Sequence, residues 1–228
     1  MKLHNVTQGD GDWKRLRLGV LTASELDAIV TPEFKPRTGQ TPETYLYQKL
    51  CEKLLGYATD VNTFAMEQGT ILEGEAKPWF EAEHNIDILP VGFCTTDDGT
   101  VGCSPDGLIG EDGGIEIKCP QPHTHLRYLM QGGVPKDYLA QVHGSMFVTG
   151  RKWWKFMSYS RQFEPLIVHV ERDERIQAHL AVAIAGYLAR FDRELAAIAA
   201  RRDAIHAAKT AEYNAKITLQ QCTGTRGD

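Results

Sequence analysis

Apolar and polar positions follow two different rhythms along the chain. "TPETYLYQKLCEKLLG", from residue 41, sets Tyr45, Leu50, Leu54 and Leu55 at helical spacing, and Gly56 supplies a stop. "GTILEGEAKPWFEAEHN" predicts a second helix, kinked or shortened at Pro78. Between Ile86 and Cys119 the rhythm changes to short apolar runs cut by Asp/Gly turns, the pattern of a β-meander. "YLAQVHGSMFVTG" returns to helix, "WWKFMSYS" and "PLIVHVER" read as two further strands, and residues 173 to about 217, Ala-rich and without proline, read as helical. Ahead of these, Thr22-Ala-Ser-Glu25 has the form of a capping box, so a helix is expected to begin near Thr22. Residues 31–40, "TPEFKPRTGQ", read as a loop.

This order predicts an α/β chain: an α+β mixed sheet flanked by helices. The length of 228 residues suits one domain over 1–228, with 173–217 a long C-terminal helical segment and 218–228 a flexible tail. Ile184, Leu188, Phe191, Leu195 and Ile198 form a short a/d seam on that segment, for packing on the chain's own sheet or on another subunit.

Composition narrows the setting. No apolar run approaches the roughly 18–20 residues that span a bilayer, and the N-terminus lacks the apolar centre of a signal peptide, so the expectation is a cytoplasmic protein. Five cysteines, odd in number and without CxxC spacing, argue against a disulfide framework or a structural zinc site. The net charge of −5 is an average over the surface and excludes no partner, because an acidic cluster loaded with cations changes sign.

"CSPDGLIGEDGGIEIKCP", residues 103–120, is where chemistry enters. It reads as a hairpin whose apolar arms are interrupted by Asp106, Glu116 and Lys118. In a strand Glu116 and Lys118 share a face and Ile117 points away. A "GEDGG" turn would bring Asp106 alongside Glu116. Two carboxylates and the Ile117 carbonyl are a hard-oxygen set that suits Mg²⁺ or Mn²⁺, and the lysine beside them can orient a metal-bound water or help deprotonate it. The alternative is a surface hairpin with a cross-strand ion pair. A further carboxylate lies upstream in "EQGTILEGEA", where spacing does not choose among Glu67, Glu73 and Glu75. His123 and His125 read as metal ligands or, preferably, as solvated loop histidines, since no third ligand at suitable spacing accompanies them. "WKRLR" alone reads as a basic strand edge.

Four stretches, "QGDGDWKRLRLGVLTASE", "QGTILEGEA", "CSPDGLIGEDGGIEIKCP" and "YLAQVHGSMFVTG", together resemble the lambda-exonuclease and YqaJ-type viral recombinase nuclease family, over roughly residues 8–175. The resemblance implies a restriction-endonuclease-like PD-(D/E)xK core. It also implies a processive 5′→3′ exonuclease on double-stranded DNA ends that leaves a 3′ overhang for annealing recombination and repair. It further implies Mg²⁺ (or Mn²⁺), two ions per site, a homotrimeric ring, and a single-strand annealing protein as partner in the bacterial or phage-infected cell. By position, Asp106, Glu116, Glu73 and the carbonyl of Ile117 become metal ligands, Lys118 the catalytic lysine, and Gln141 the residue that helps place the attacking water. Arg17, Ser24 and Ser104 fall at positions that grip the 5′-phosphate, and Arg37 at an arginine that reaches into DNA. An apolar wedge aligns only loosely with Met66, a lysine becomes Phe64, and Thr124 replaces a basic residue, although His123, His125 and Arg127 lie close by. An endonuclease of the same superfamily and a non-catalytic scaffold that binds DNA ends are the rival readings; a RecB-like nuclease with an iron–sulfur cluster is disfavoured because no cysteines cluster near the C-terminus.

Overall fold

Gly113–Lys118 is buried on both faces at all but its last residue, and it is paired on both sides, which places that strand inside a sheet. The structure is a computed structural model that describes residues 1–58 and 64–223, by backbone alone for 64–70 and 214–223. The chain runs through β1 (Lys2–His4), α1 (Gly11–Arg17), β2 (Leu21–Thr22), a 3-10 helix (Ala23–Ala28), α2 (Gln40–Leu55) and α3 (Phe64–His84). Then follow β3 (Ile88–Leu89), β4 (Phe93–Thr95), β5 (Val101–Cys103), β6 (Gly107–Ile109) and β7 (Gly113–Lys118). The chain continues through α4 (Pro122–Gln131), α5 (Lys136–Thr149), β8 (Trp153–Ser158), β9 (Leu166–Glu171) and α6 (Glu174–Thr223).

Among the described residues the strands form two mixed sheets flanked by helices, which is the α/β class expected. The larger has the order β3-β6-β7-β8-β9, the smaller β1-β4-β5-β2. The stretch expected to form one meander is therefore divided: β4 and β5 pair in one sheet, β3, β6 and β7 in the other. The division falls at Ser104-Pro105-Asp106, where the chain leaves β5 and enters β6. β7 and β8 are parallel, and the crossover between them is α4 and α5.

Each face of the larger sheet has its own core. Ile115 and Ile117 pack with Ala76 and Phe80 of α3, and Leu108, Trp154 and Phe156 pack with Val142 and Met146 of α5. Helix α3 continues through Pro78 to His84, so the proline does not end it; Phe80, 1% exposed, holds the turn beyond the proline against the sheet. Helix α5 also lies on the 3-10 helix. A Cβ at Gly144 would fall 2.3 Å from Leu26 Cδ1, so glycine sets how closely the two approach.

Two helices have no counterpart in the hydrophobic pattern. α1 stands where "WKRLR" reads as a strand edge; it is capped by Asp10, whose carboxylate accepts from Trp13 N–H at 2.7 Å. α4 begins with Pro122 and stops at Gly132 in the left-handed conformation. It carries His125 into the interior, where Nδ1 lies 2.8 Å from Ser158 Oγ and Nε2 lies 3.0 Å from Glu164 O. His125 is thus neither a metal ligand nor a solvated loop residue; burial with a partner for each nitrogen explains it. The capping box at Thr22 is also only half realised. The helix there is 3-10, and the Thr22 hydroxyl donates to Glu25 Oε2 at 2.8 Å instead of accepting from the backbone.

The chain divides into two compact units, Met1–Gly186 and Tyr187–Asp228. Ile184 of the expected seam is buried in the first, with Leu180 and Ala183. The helix is described to Thr223; the remainder of the expected tail, 224–228, lies outside the described residues. No helix among the described residues is long and apolar enough to cross a membrane.

Candidate active site

The pairing of β6 with β7 sets the first contacts. Gly107 stands opposite Ile115, so Asp106 comes beside the end of β7, and its Oδ2 accepts from the Ile117 N–H at 2.5 Å. Glu116 points toward α5, where the Gln141 amide donates to its Oε1 at 2.5 Å. Lys118 Nζ reaches the same oxygen at 2.6 Å and lies 5.4 Å from the Tyr138 ring centre. Glu116 is 2% exposed, and its second oxygen, Oε2, is buried without a hydrogen-bond partner. A buried carboxylate oxygen with no donor is costly unless something else satisfies it.

Helix α3 brings the fourth charge. Burial, with Glu116 adding to it and Lys118 opposing, raises the Glu73 carboxyl above its ordinary range. Glu75 instead pairs with Arg161 on an exposed face, and the side chain of Glu67 lies outside the described residues. Of the three glutamates, Glu73 is therefore the one whose described charge interacts with Glu116 and Lys118. Burial and then repulsion from Glu116 push Asp106 well above the usual carboxylate range. Burial pulls the Lys118 ammonium down, but Glu116 and Asp106 outweigh it and the net shift is upward. Nearby, burial followed by Glu73 and Asp106 pushes the Cys119 thiol up to about 12, so it stays neutral.

Three carboxylates against one ammonium leave surplus negative charge in a half-buried site. Among the described residues no three His, Cys, Asp or Glu side chains are close enough to hold an ion as they stand. The donor chemistry nevertheless fits a divalent cation. The donors are all oxygen, one of them is buried and unpartnered, and two of the carboxyls are pushed toward the neutral form, by burial first and by Glu116 beside them.

A second cluster forms around Ser104. Its Oγ accepts from Trp13 Nε1 at 2.8 Å and from Arg17 Nη1 at 3.2 Å, one helical turn apart on α1. The Arg17 guanidinium lies 4.5 Å from the Trp13 ring centre, and burial lowers its pKa from the ordinary value. Ser24 is exposed, with its hydroxyl 3.3 Å from Thr22 Oγ1. Arg37 is not joined to this group by any described contact; its Nε donates to Val30 O at 3.3 Å. Pro105, buried between Ser104 and Asp106, offers its carbonyl to Gln8 Nε2 at 2.9 Å. Met66 and Phe64 belong to the part of α3 described by backbone alone.

Trp13 and Tyr138 are contacts of these clusters that sequence reasoning missed. The i,i+4 spacing of Trp13 and Arg17 was the available signal, and it is informative only once α1 is recognised as a helix.

A mixed sheet whose central strand presents Glu and Lys, with an Asp beside them at the entrance to the neighbouring strand and two flanking helices that add Glu and Gln, defines the PD-(D/E)xK class of nucleases. The chain belongs to the YqaJ-like viral recombinase domain family, whose model matches residues 12–152, and it is a nuclease of the recombinase type. Among solved structures, an alkaline exonuclease from Laribacter hongkongensis, LHK-Exo, is similar over 86% of this chain and 100% of its own, with 28% identity and a TM-score of 0.79. The same protein in complex with dAMP gives the same values. A phage-related exonuclease from Haemophilus somnus 129PT shares the fold over 78% of this chain and 96% of its own, at 12% identity and a TM-score of 0.61. No curated protein matches the chain.

Proposed function

We propose that the protein is a divalent-metal-dependent 5′→3′ exonuclease acting on the ends of double-stranded DNA. The reading is carried by one observation: Asp106, Glu116 and Lys118 meet at the end of β7 with a buried Glu116 oxygen left unpartnered. Membership of the recombinase family and the likeness to an alkaline exonuclease support it. Asp106, Glu116, Glu73 and the carbonyl of Ile117 would hold Mg²⁺ or Mn²⁺, in two ions. Bound there, the ions would supply Lewis-acid stabilisation to the scissile phosphate and its leaving oxygen.

The chain's own groups divide the remaining work. Gln141 and Lys118 both hold Glu116 Oε1, which fixes the carboxylate's rotation. The Lys118 side chain is 25% exposed against 3% for Glu116, so the ammonium bridges the buried carboxylate and the open side where a phosphate would lie. Its upward shift keeps it charged near neutral pH, so it orients the attacking water and steadies phosphate charge as a cation. The role of base, which needs a neutral amine, does not fall to it. Arg17, Ser104 and Ser24 would grip the 5′-phosphate, and Arg37 would reach the duplex. Arg offers a fork that matches phosphate, and desolvation strengthens such contacts. The product would be a 3′ overhang, used in recombination with a single-strand annealing protein.

The test is release of nucleotides from linear and closed circular duplex DNA with and without Mg²⁺. Linear DNA should be degraded from its 5′ ends only with metal, and the closed circle should survive. Glu116→Gln and Lys118→Ala should each lose at least about a hundredfold in turnover while still binding DNA. Wild-type turnover in either variant, or cutting of the circle, would overturn the reading.

A further inference from the structure

Lys49 is 6% exposed and sits between two carboxylates. Its Nζ lies 3.0 Å from Glu25 Oε2 and 3.1 Å from each oxygen of Glu52. A buried lysine needs such partners. What matters is where the partners lead. Glu25 Oε2 also accepts from Thr22 Oγ1, which lies beside the Ser24 hydroxyl, and from Tyr45 OH at 3.3 Å. Glu52 Oε2 accepts at 3.1 Å from Gly19 N–H, two residues beyond Arg17. Gly19 has φ +69°, and a Cβ there would fall 2.9 Å from Lys53 Cβ, so the chain turns hard against α2 at that point. One ammonium therefore ties α2 both to the segment that carries Ser24 and to the turn that follows Arg17.

The charges add a second consequence. Arg17 interacts electrostatically with Glu25 and Glu52, yet its guanidinium makes no ion pair among the described residues; its contacts are the Ser104 hydroxyl and the faces of Trp13 and Phe93. A carboxylate and a phosphate compete for the same guanidinium fork. Lys49 engages the two carboxylates that would otherwise compete.

We propose that Lys49 is a positioning residue for 5′-phosphate recognition, holding Glu25 and Glu52 away from Arg17 and fixing Ser24 through Thr22 and Glu25. This rests on the reading of Arg17, Ser24 and Ser104 as the phosphate pocket.

The experiment compares kcat/KM on duplexes with 5′-phosphate and 5′-hydroxyl ends for the wild type, Lys49→Met, Thr22→Val and, as the benchmark of a broken pocket, Arg17→Ala. Lys49→Met keeps the stem and removes the charge. Its preference for phosphorylated ends should fall at least tenfold, through a higher KM for those ends, and Lys49→Arg should restore most of it. Thr22→Val, with Lys49 intact, should lower the preference severalfold; it decides the matter if Lys49→Met does not fold. A wild-type ratio in either variant, or equal losses on both ends, overturns the role of Lys49 while leaving the pocket standing. No preference in the wild type itself overturns the pocket and the inference with it.

Discussion

Asp106 and Glu73 are carboxyls held against their preference. Both stand above the ordinary range, chiefly through burial. A raised folded value favours folding below the unfolded pKa of about 4, and that contribution is lost as pH rises through the folded value. The ion-free protein should therefore lose stability as pH rises above about 4. Asp106→Asn keeps an acceptor for the Ile117 N–H and removes the charge, so it should melt ~2–4 °C above the wild type at pH 8, with a smaller gap at pH 5. Thermal scans in chelator check this, and a variant melting lower at pH 8 would contradict it. Adding Mg²⁺ should raise the wild-type melting temperature more than the variant's, because ligands stabilise the state that binds them. At this scale the sequence was informative: the alternation of side chains along a strand is enough to place Glu116 and Lys118 on one face. It could not separate Glu73 from Glu75, since two residues apart on a helix they differ by which way the helix is turned. The Arg161 pair resolves the second.

Packing between elements depends on contacts that no local pattern announces. Helix α5 reaches Glu116 through Gln141 and, one turn on, meets the 3-10 helix at Gly144. Gly144→Val would press two methyls into Leu26 and should cost about 1–3 kcal/mol, read as a lower urea midpoint at unchanged slope. Unchanged stability would mean that the approach is looser than described. The same scale accounts for the elements misread from the sequence. Pro78 would break an isolated helix, but tertiary packing of Phe80 outweighs the lost backbone bond. α1 is seven residues long, too short to show a period, and its Asp10 cap was the only available cue. α4 announced itself by Pro122 and Gly132, yet its apolar face is interrupted by His125, whose partners Ser158 and Glu164 lie more than thirty residues away.

For the whole molecule, the two-sheet arrangement was not legible because strand partners are chosen across the chain: β1 pairs β4, and β2 pairs β5. The family resemblance implied the PD-(D/E)xK core but not this division into two sheets. It also implies a ring of three, and a mass in solution of three times the 25.5 kDa chain is the expected result from sedimentation or light scattering. A monomer at working concentrations would remove ring closure as the source of processivity. On the proposed reading, Ser104-Pro105-Asp106 is then a gauge as well as a linker between sheets. The residue that senses a strand's end and the residue that marks where it is cut are separated by one imino acid of nearly fixed φ. Their spacing is set by covalent bonds and held by Gln8, independent of any moving part. Bite length in such an enzyme would be a constant of the backbone, unaltered by temperature, salt or the sequence of the DNA being consumed.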